Sequence, residues 1–204
     1  MDATRVVAIR HGETAWNVER RLQGQLDVDL NARGRDQALR LRRALEGETF
    51  AAVYASDLMR ARLTAQAFAV PAGLEVQTDP GLRERAFGLF EGHTYADIEQ
   101  RWPEQALLWR RRDPVFAPAG GESLEAFQAR CVATASRLAA AHAGQAIAIV
   151  AHGGVLDALY RAATRVGLTA PRSWELGNAS INRLLHSPEG FVVVGWNDRQ
   201  HLED

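Results

Sequence analysis

The chain has 204 residues, 47% of them apolar, with 25 acidic residues against 24 basic ones. That length and apolar content suit one sizeable domain with a full core, and the near-neutral charge argues against a nucleic-acid or membrane-surface binder. Every basic residue is arginine and there is no lysine, which excludes Schiff-base, pyridoxal-phosphate and lysine-dependent P-loop chemistry.

In chain order, Val6-Val7-Ala8-Ile9-Arg10-His11-Gly12 is a short apolar run closed by glycine, the pattern of a strand buried on both faces. A polar stretch follows, then a helix beginning near Asn31, a good N-cap, with Ala38, Leu41, Ala44 and Leu45 on its apolar face. A second strand is expected over 51–55, then a helix holding Leu58, Ala61, Leu63, Ala65 and Phe68, and a short third strand over 74–77. The stretch 79–121 is rich in Trp, Arg, Pro and Gly, with short helices expected near 94–101 and 104–111, and reads as a lid or substrate loop. Ser123 caps a long helix to about 143. A second apolar run, Ile147-Ala148-Ile149-Val150-Ala151-His152-Gly153-Gly154, another helix and a hairpin (180–186, turn at 187–190, 191–196) complete the chain. We expect one domain over 1–204, with a short lid-like insertion at about 93–119.

The lone Cys131 lies in a helical run, allows no disulfide framework, and reads as a small buried hydrophobe in a reducing, cytoplasmic protein. No apolar stretch is long enough to span a bilayer, and no signal peptide is recognisable.

Both His-Gly runs place a histidine just past the carboxyl end of a strand, where open α/β sheets bind ligands. Arg10 beside His11 opposes its protonation and keeps the imidazole neutral and nucleophilic near pH 7. Gly12 allows close backbone approach to a ligand, and Thr14 and Asn17 supply neutral hydrogen bonds. At the strand-turn-helix Ala55-Ser56-Asp57-Leu58-Met59-Arg60, Arg60 lies nearest the helix start and suits a phosphate, whereas Arg62 suits solvent. Glu84 either pairs with Arg83 or Arg85 on the surface or protonates a leaving alcohol oxygen. His93, His142, His186 and His201 occur singly, and neither His11 nor His152 has a close histidine partner of the kind common metal sites use.

These motifs, with Gln23-Gly24, Asp29-Leu30-Asn31, Glu91-Gly92, Gly120-Gly121-Glu122-Ser123, Asn178-Ala179-Ser180 and Asn197-Asp198, resemble the histidine phosphatase (phosphoglycerate-mutase-like) superfamily nearly end to end. The resemblance implies a three-layer α/β/α sandwich with a mostly parallel central sheet, and a mechanism without metal or cofactor. Carried over by position, His11 becomes a phosphohistidine, Arg10, Arg60 and His152 surround the phosphoryl group, and Glu84 is proton donor and then base. Thr14, Asn17, Gln23, Gly24 and Gly153 are expected to bind substrate. The partner is then a small phosphorylated metabolite, with no nucleic acid and no membrane, and the oligomeric state is left open.

A phosphatase admits water to the phosphohistidine; a mutase of this family excludes it and uses 2,3-bisphosphoglycerate. The short insertion, Tyr95 where mutases carry lysine, and Gly120-Gly121-Glu122-Ser123 favour the phosphatase branch. Trp109-Arg110-Arg111-Arg112 resembles the mutases' substrate-binding arginines, so Arg110 and Arg111 join the expected substrate contacts. A low-turnover binding module and a metal-dependent hydrolase are the remaining readings.

Overall fold

The computed structural model describes residues 2–203. Six strands form one sheet: β1 (Thr4–Arg10), β2 (Ala52–Ala55), β3 (Val76–Thr78), β4 (Ala146–Ala151), β5 (Ile181–Ser187) and β6 (Gly190–Asp198). Their spatial order is β3-β2-β4-β1-β5-β6. The first four run parallel; β5 pairs antiparallel with β1 and with β6. The helices are α1 (Ala15–Val18), α2 (Ala32–Ala44), α3 (Met59–Ala69), α4 (Tyr95–Arg101), α5 (Pro103–Arg110), α6 (Leu124–Ala140) and α7 (Gly153–Thr164). Among the described residues no helix is long and apolar enough to cross a membrane.

The sheet is covered on both sides because β4 is apolar at every position and β1 is apolar from Val6 to Ile9. Alternation sends Val6, Ala8, Ile147, Ile149 and Leu184 into a core with Phe127, Leu138, Leu156 and Leu159 of α6 and α7. Val7, Ile9, Val53, Ala148 and Val150 face the other way, against Leu41 of α2 and Ala61, Ala65 and Phe68 of α3. The result is the expected α/β/α sandwich. Cys131 is buried in the first core, and that burial pushes its thiol pKa up, as suits a structural residue.

Most expected elements stand within a few residues of their places. The α6 helix stops at Ala140 rather than 143, because Thr4 Oγ1 on β1 bonds the carbonyls of Ala139 (2.8 Å) and His142 (3.1 Å) and closes the helix end. The short α1 lies in the stretch read only as polar. Thr14 and Asn17 cap it reciprocally, each side chain bonding the other's backbone N–H at 3.1 Å. Between β3 and α6, a small separate core forms around Phe90, Ile98 and Ala106, with Leu22, Phe87, Trp102, Trp109 and Phe116 packed on it.

Candidate active site

Strand register brings the two histidines together. In the parallel β1–β4 pair Arg10 lies opposite Ala151, so the next residues, His11 and His152, leave the sheet side by side. Their rings sit 5.2 Å apart between centroids, tilted by 59°, and both are buried. The His11 Nδ1 is 2.7 Å from the Gly12 carbonyl. A carbonyl only accepts, so Nδ1 carries the proton and Nε2 is left with its lone pair. Burial, then Arg60 and Arg10, lower the His11 pKa well below its usual value; the bond to Gly12 opposes this without reversing it. Burial, Arg60, His11 and Arg10 do the same to His152. Both rings are neutral at pH 7.

Two arginines flank the pair. Arg60, in the first turn of α3, is 1% exposed; it donates to the carbonyls of Gly24 and Leu26 at 2.8 Å each. Arg10, the last residue of β1, donates to the Leu176 carbonyl. Burial brings each guanidinium down to about 10, partly offset by Glu84, so both stay charged at neutral pH. The Nε of Arg10, the Nε of Arg60 and both ring nitrogens of His152 are buried without a protein partner. Buried polar atoms are normally satisfied. The two guanidinium Nε–H groups and the single N–H of the neutral His152 ring are unmatched beside His11 and make a ready cradle for an anion.

Glu84 completes the cluster and is not a surface ion-pair residue. Arg83 makes a two-pronged pair with Asp57 instead (2.8 and 2.5 Å), and the Arg85 guanidinium serves the carbonyls of Phe116 and Glu122. The Glu84 carboxyl accepts from the backbone N–H of Arg85 and of Gly154, both at 2.9 Å. Its backbone is held by Arg130 of α6, which donates to the carbonyls of Gly81 (2.9 Å) and Arg83 (3.0 Å) while gripping Glu122. No local sequence signal marks this role of Arg130, since the carbonyls it holds lie nearly fifty residues away.

His11, Arg10, Arg60 and Glu84 line one pocket of about 200 Å³ with Asn17, Gln23, Gly24 and Gly153, while the fully buried His152 packs behind His11. The Asn17 Oδ1 accepts from Thr14 and from Asn178 Nδ2 (3.1 Å), which leaves its NH₂ group as the pocket donor. Three expected contacts fall elsewhere. Thr14 is fully buried beneath α1 as its cap. Arg110 pairs with Glu99 at the surface, and Arg111 is likewise exposed outside the pocket wall. The third arginine of that run, Arg112, turns inward to the Leu168 carbonyl (2.7 Å) and Asp157 (3.4 Å). Gly12 also differs from expectation: a Cβ there would strike the Gly34 carbonyl, so its missing side chain serves the packing of α2. Arg21, Leu22, Phe87, Gly154 and Arg172 line the pocket without having been singled out from sequence. Among the described residues no three His, Cys, Asp or Glu side chains are grouped to hold a metal ion.

The sequence pattern of the histidine phosphatase superfamily (branch 1) matches residues 6–199. A phosphoglycerate mutase-like protein 4 of Arabidopsis thaliana is 41% identical, covering all of this chain and 89% of its own. A metal-independent phosphoserine phosphatase from the same plant is 34% identical over 98% of this chain and 84% of its own. Among solved structures, Bacillus stearothermophilus YhfR superposes with a TM-score of 0.92 at 33% identity, covering 98% of this chain and 100% of that one. With its pattern matched almost end to end and its strand-end histidines in register, this chain belongs to the histidine phosphatase superfamily.

Proposed function

We propose that the protein is a metal- and cofactor-independent phosphomonoesterase that hydrolyses a small phosphorylated metabolite through a phosphohistidine on His11. The observation that carries this reading is the set of unmatched buried groups on Arg10, Arg60 and His152 beside His11, whose Nδ1 is committed to the Gly12 carbonyl and whose Nε2 is left unprotonated. In the first half-reaction Nε2 attacks phosphorus in line, and the ester oxygen departs with a proton from Glu84. The transition state spreads negative charge over the equatorial oxygens, where Arg10, Arg60, His152 and the Asn17 amide are placed to meet it. In the second half-reaction Glu84 takes a proton from water as it attacks phosphorus, and neutral His11 leaves. Each such donor lowers the barrier by about 3 kcal/mol.

The relative named as a metal-independent phosphatase supports the hydrolytic, metal-free form. Arg110 and Arg111 lie away from the pocket and take no part in gripping the substrate. The 93–119 segment supports the pocket from outside: Trp109 packs edge-on against Phe87 at 5.1 Å, and Phe87 lines the pocket.

Acid-stable, base-labile behaviour does not suit a phosphohistidine, so labelling is read after rapid denaturing quench at alkaline pH. Substrate carrying labelled phosphate should leave one label on the wild-type chain. His11→Ala should take none and lose activity at least about a thousandfold. Label or full hydrolysis retained by His11→Ala overturns the mechanism. Rapid formation of 2-phosphoglycerate from 3-phosphoglycerate with trace 2,3-bisphosphoglycerate would replace the phosphatase by a mutase.

A further inference from the structure

The pocket has a buried end and an open one, and they carry different cations. At the buried end Arg60 and Arg10 are tied to backbone carbonyls. Half-buried Leu22, Phe87 and Arg21 and the exposed Arg172 also line the pocket. Arg21 is already occupied: it pairs with Glu19 at 2.6 Å and donates to the Gly92 carbonyl at 2.9 Å. Arg172 is unlike the other three. It is exposed, lies in the loop between α7 and β5, and makes no hydrogen bond or ion pair with any described residue.

Its neighbours include two further guanidiniums, which Glu84 and Asp157 partly offset. Arg172 is close enough to Arg10 and Arg112 to disfavour the charge on both. Leaving a third guanidinium beside them is unfavourable in the empty pocket and becomes favourable when an anion lies among them. The phosphoryl group belongs at the far end, around His11. With the half-buried Arg10 and buried Arg60 committed to the phosphoryl group, the exposed Arg172 is left for a second anion, on the leaving-group side of the same substrate.

We propose that Arg172 is a specificity-determining residue that binds a second anionic group, a carboxylate or phosphate, on the leaving portion of the substrate. This rests on the phosphomonoesterase reading of the pocket and adds the chemistry of the alcohol it releases. Leu22 and Phe87 flank the carbon skeleton between the two anionic ends, and Arg172 forms a charge-assisted contact with the outer one. The same loop holds the Leu176 carbonyl that fixes Arg10 and the Asn178 amide that bonds the His11 carbonyl (3.1 Å), so the outer contact and the reacting end share one support.

The test compares 3-phosphoglycerate with glycerol 3-phosphate, which differ by a carboxylate, and uses p-nitrophenyl phosphate as a substrate with no second anion. Wild type should favour 3-phosphoglycerate in kcat/KM. Arg172→Ala should lose on the order of ten- to a hundredfold on it while staying within about twofold on the other two. Arg172→Lys should recover most of the loss and Arg172→Glu should deepen it. Equal losses on all three substrates, or no wild-type preference for the carboxylate, would overturn the proposal.

The same comparison is made without turnover by calorimetric binding of 3-phosphoglycerate and glycerol 3-phosphate to His11→Ala and to His11→Ala/Arg172→Ala. A carboxylate-dependent difference there supports the Arg172 contact even if hydrolysis fails, and its absence refutes the contact even if hydrolysis succeeds.

Discussion

Gly154 shows how a single atom sets the chemistry. Its N–H holds the Glu84 carboxyl at 2.9 Å, and a Cβ at 154 would collide with Glu84 Oε1 and crowd the Phe127 ring. In the first turn of α7, however, alanine is a better helix residue than glycine by about 1 kcal/mol. Gly154→Ala should therefore leave the thermal midpoint near or above wild type while kcat falls roughly a hundredfold through a displaced Glu84. Paired calorimetry and steady-state kinetics read both. A proportional loss of stability and activity would mean that the glycine serves packing alone. Glu84 itself was ambiguous in sequence because Arg83 and Arg85 flank it. Only the fold shows that each arginine has another partner.

At the scale of elements, α5 is pinned to α7 by charge. Asp157 lies between Arg112 (3.4 Å) and the fully buried Arg161 side chain (2.9 Å). Arg161 also donates to the Gly167 carbonyl at 2.6 Å, and its guanidinium lies 4.8 Å from the centre of the Trp174 ring. Arg112 and Arg161 thus hold the start of the loop that carries Arg172 and Leu176. Asp157→Ala leaves a buried cation without its carboxylate and should cost about 3–5 kcal/mol in denaturant unfolding. Asp157→Asn keeps the hydrogen bond and should cost less. An unchanged midpoint for Asp157→Ala would mean that water reaches Arg161 freely.

Across the whole molecule, the buried histidines make stability depend on pH. In the unfolded chain a histidine takes up a proton near pH 6.5. In the fold, His11 and His152 stay neutral well below that value because burial and the arginines oppose the charge. The unfolded state then binds more protons, so stability is full above about pH 7 and falls as the pH drops through 6.5. The slope is at most about 1.4 kcal/mol per pH unit for each histidine. Unfolding curves at pH 7.5 and 5.5 should show the fall, and His11→Gln/His152→Gln should flatten it whatever its own stability. Burial also lowers His186 and His201, so some slope should persist in the double variant. An unaltered slope there would mean that the pair is protonated in the native state.

Much of this was readable in one dimension, because the cues are local. Two apolar runs ending in His-Gly, helix caps at Asn31 and Ser123 and a glycine-closed hairpin are short-range consequences of burial, backbone capping and turn chemistry. They suffice for alternating strands and helices and for a histidine at the carboxyl end of each of two buried strands. The three-layer sandwich and the grouping of His11, His152, Arg10, Arg60 and Glu84 rest on the resemblance of the motifs to a known family. What needed three dimensions is how side chains at distant positions divide the available partners. Arg110 and Arg111 look like a substrate clamp until α5 sends them to solvent, and Thr14 looks like a ligand until α1 forms over it. Arg172, with no motif around it, reaches the pocket because the chain from α7 returns past the carboxyl ends of β1 and β4. Periodicity reports which face of an element is buried, but pairing among charges depends on distances that only packing sets.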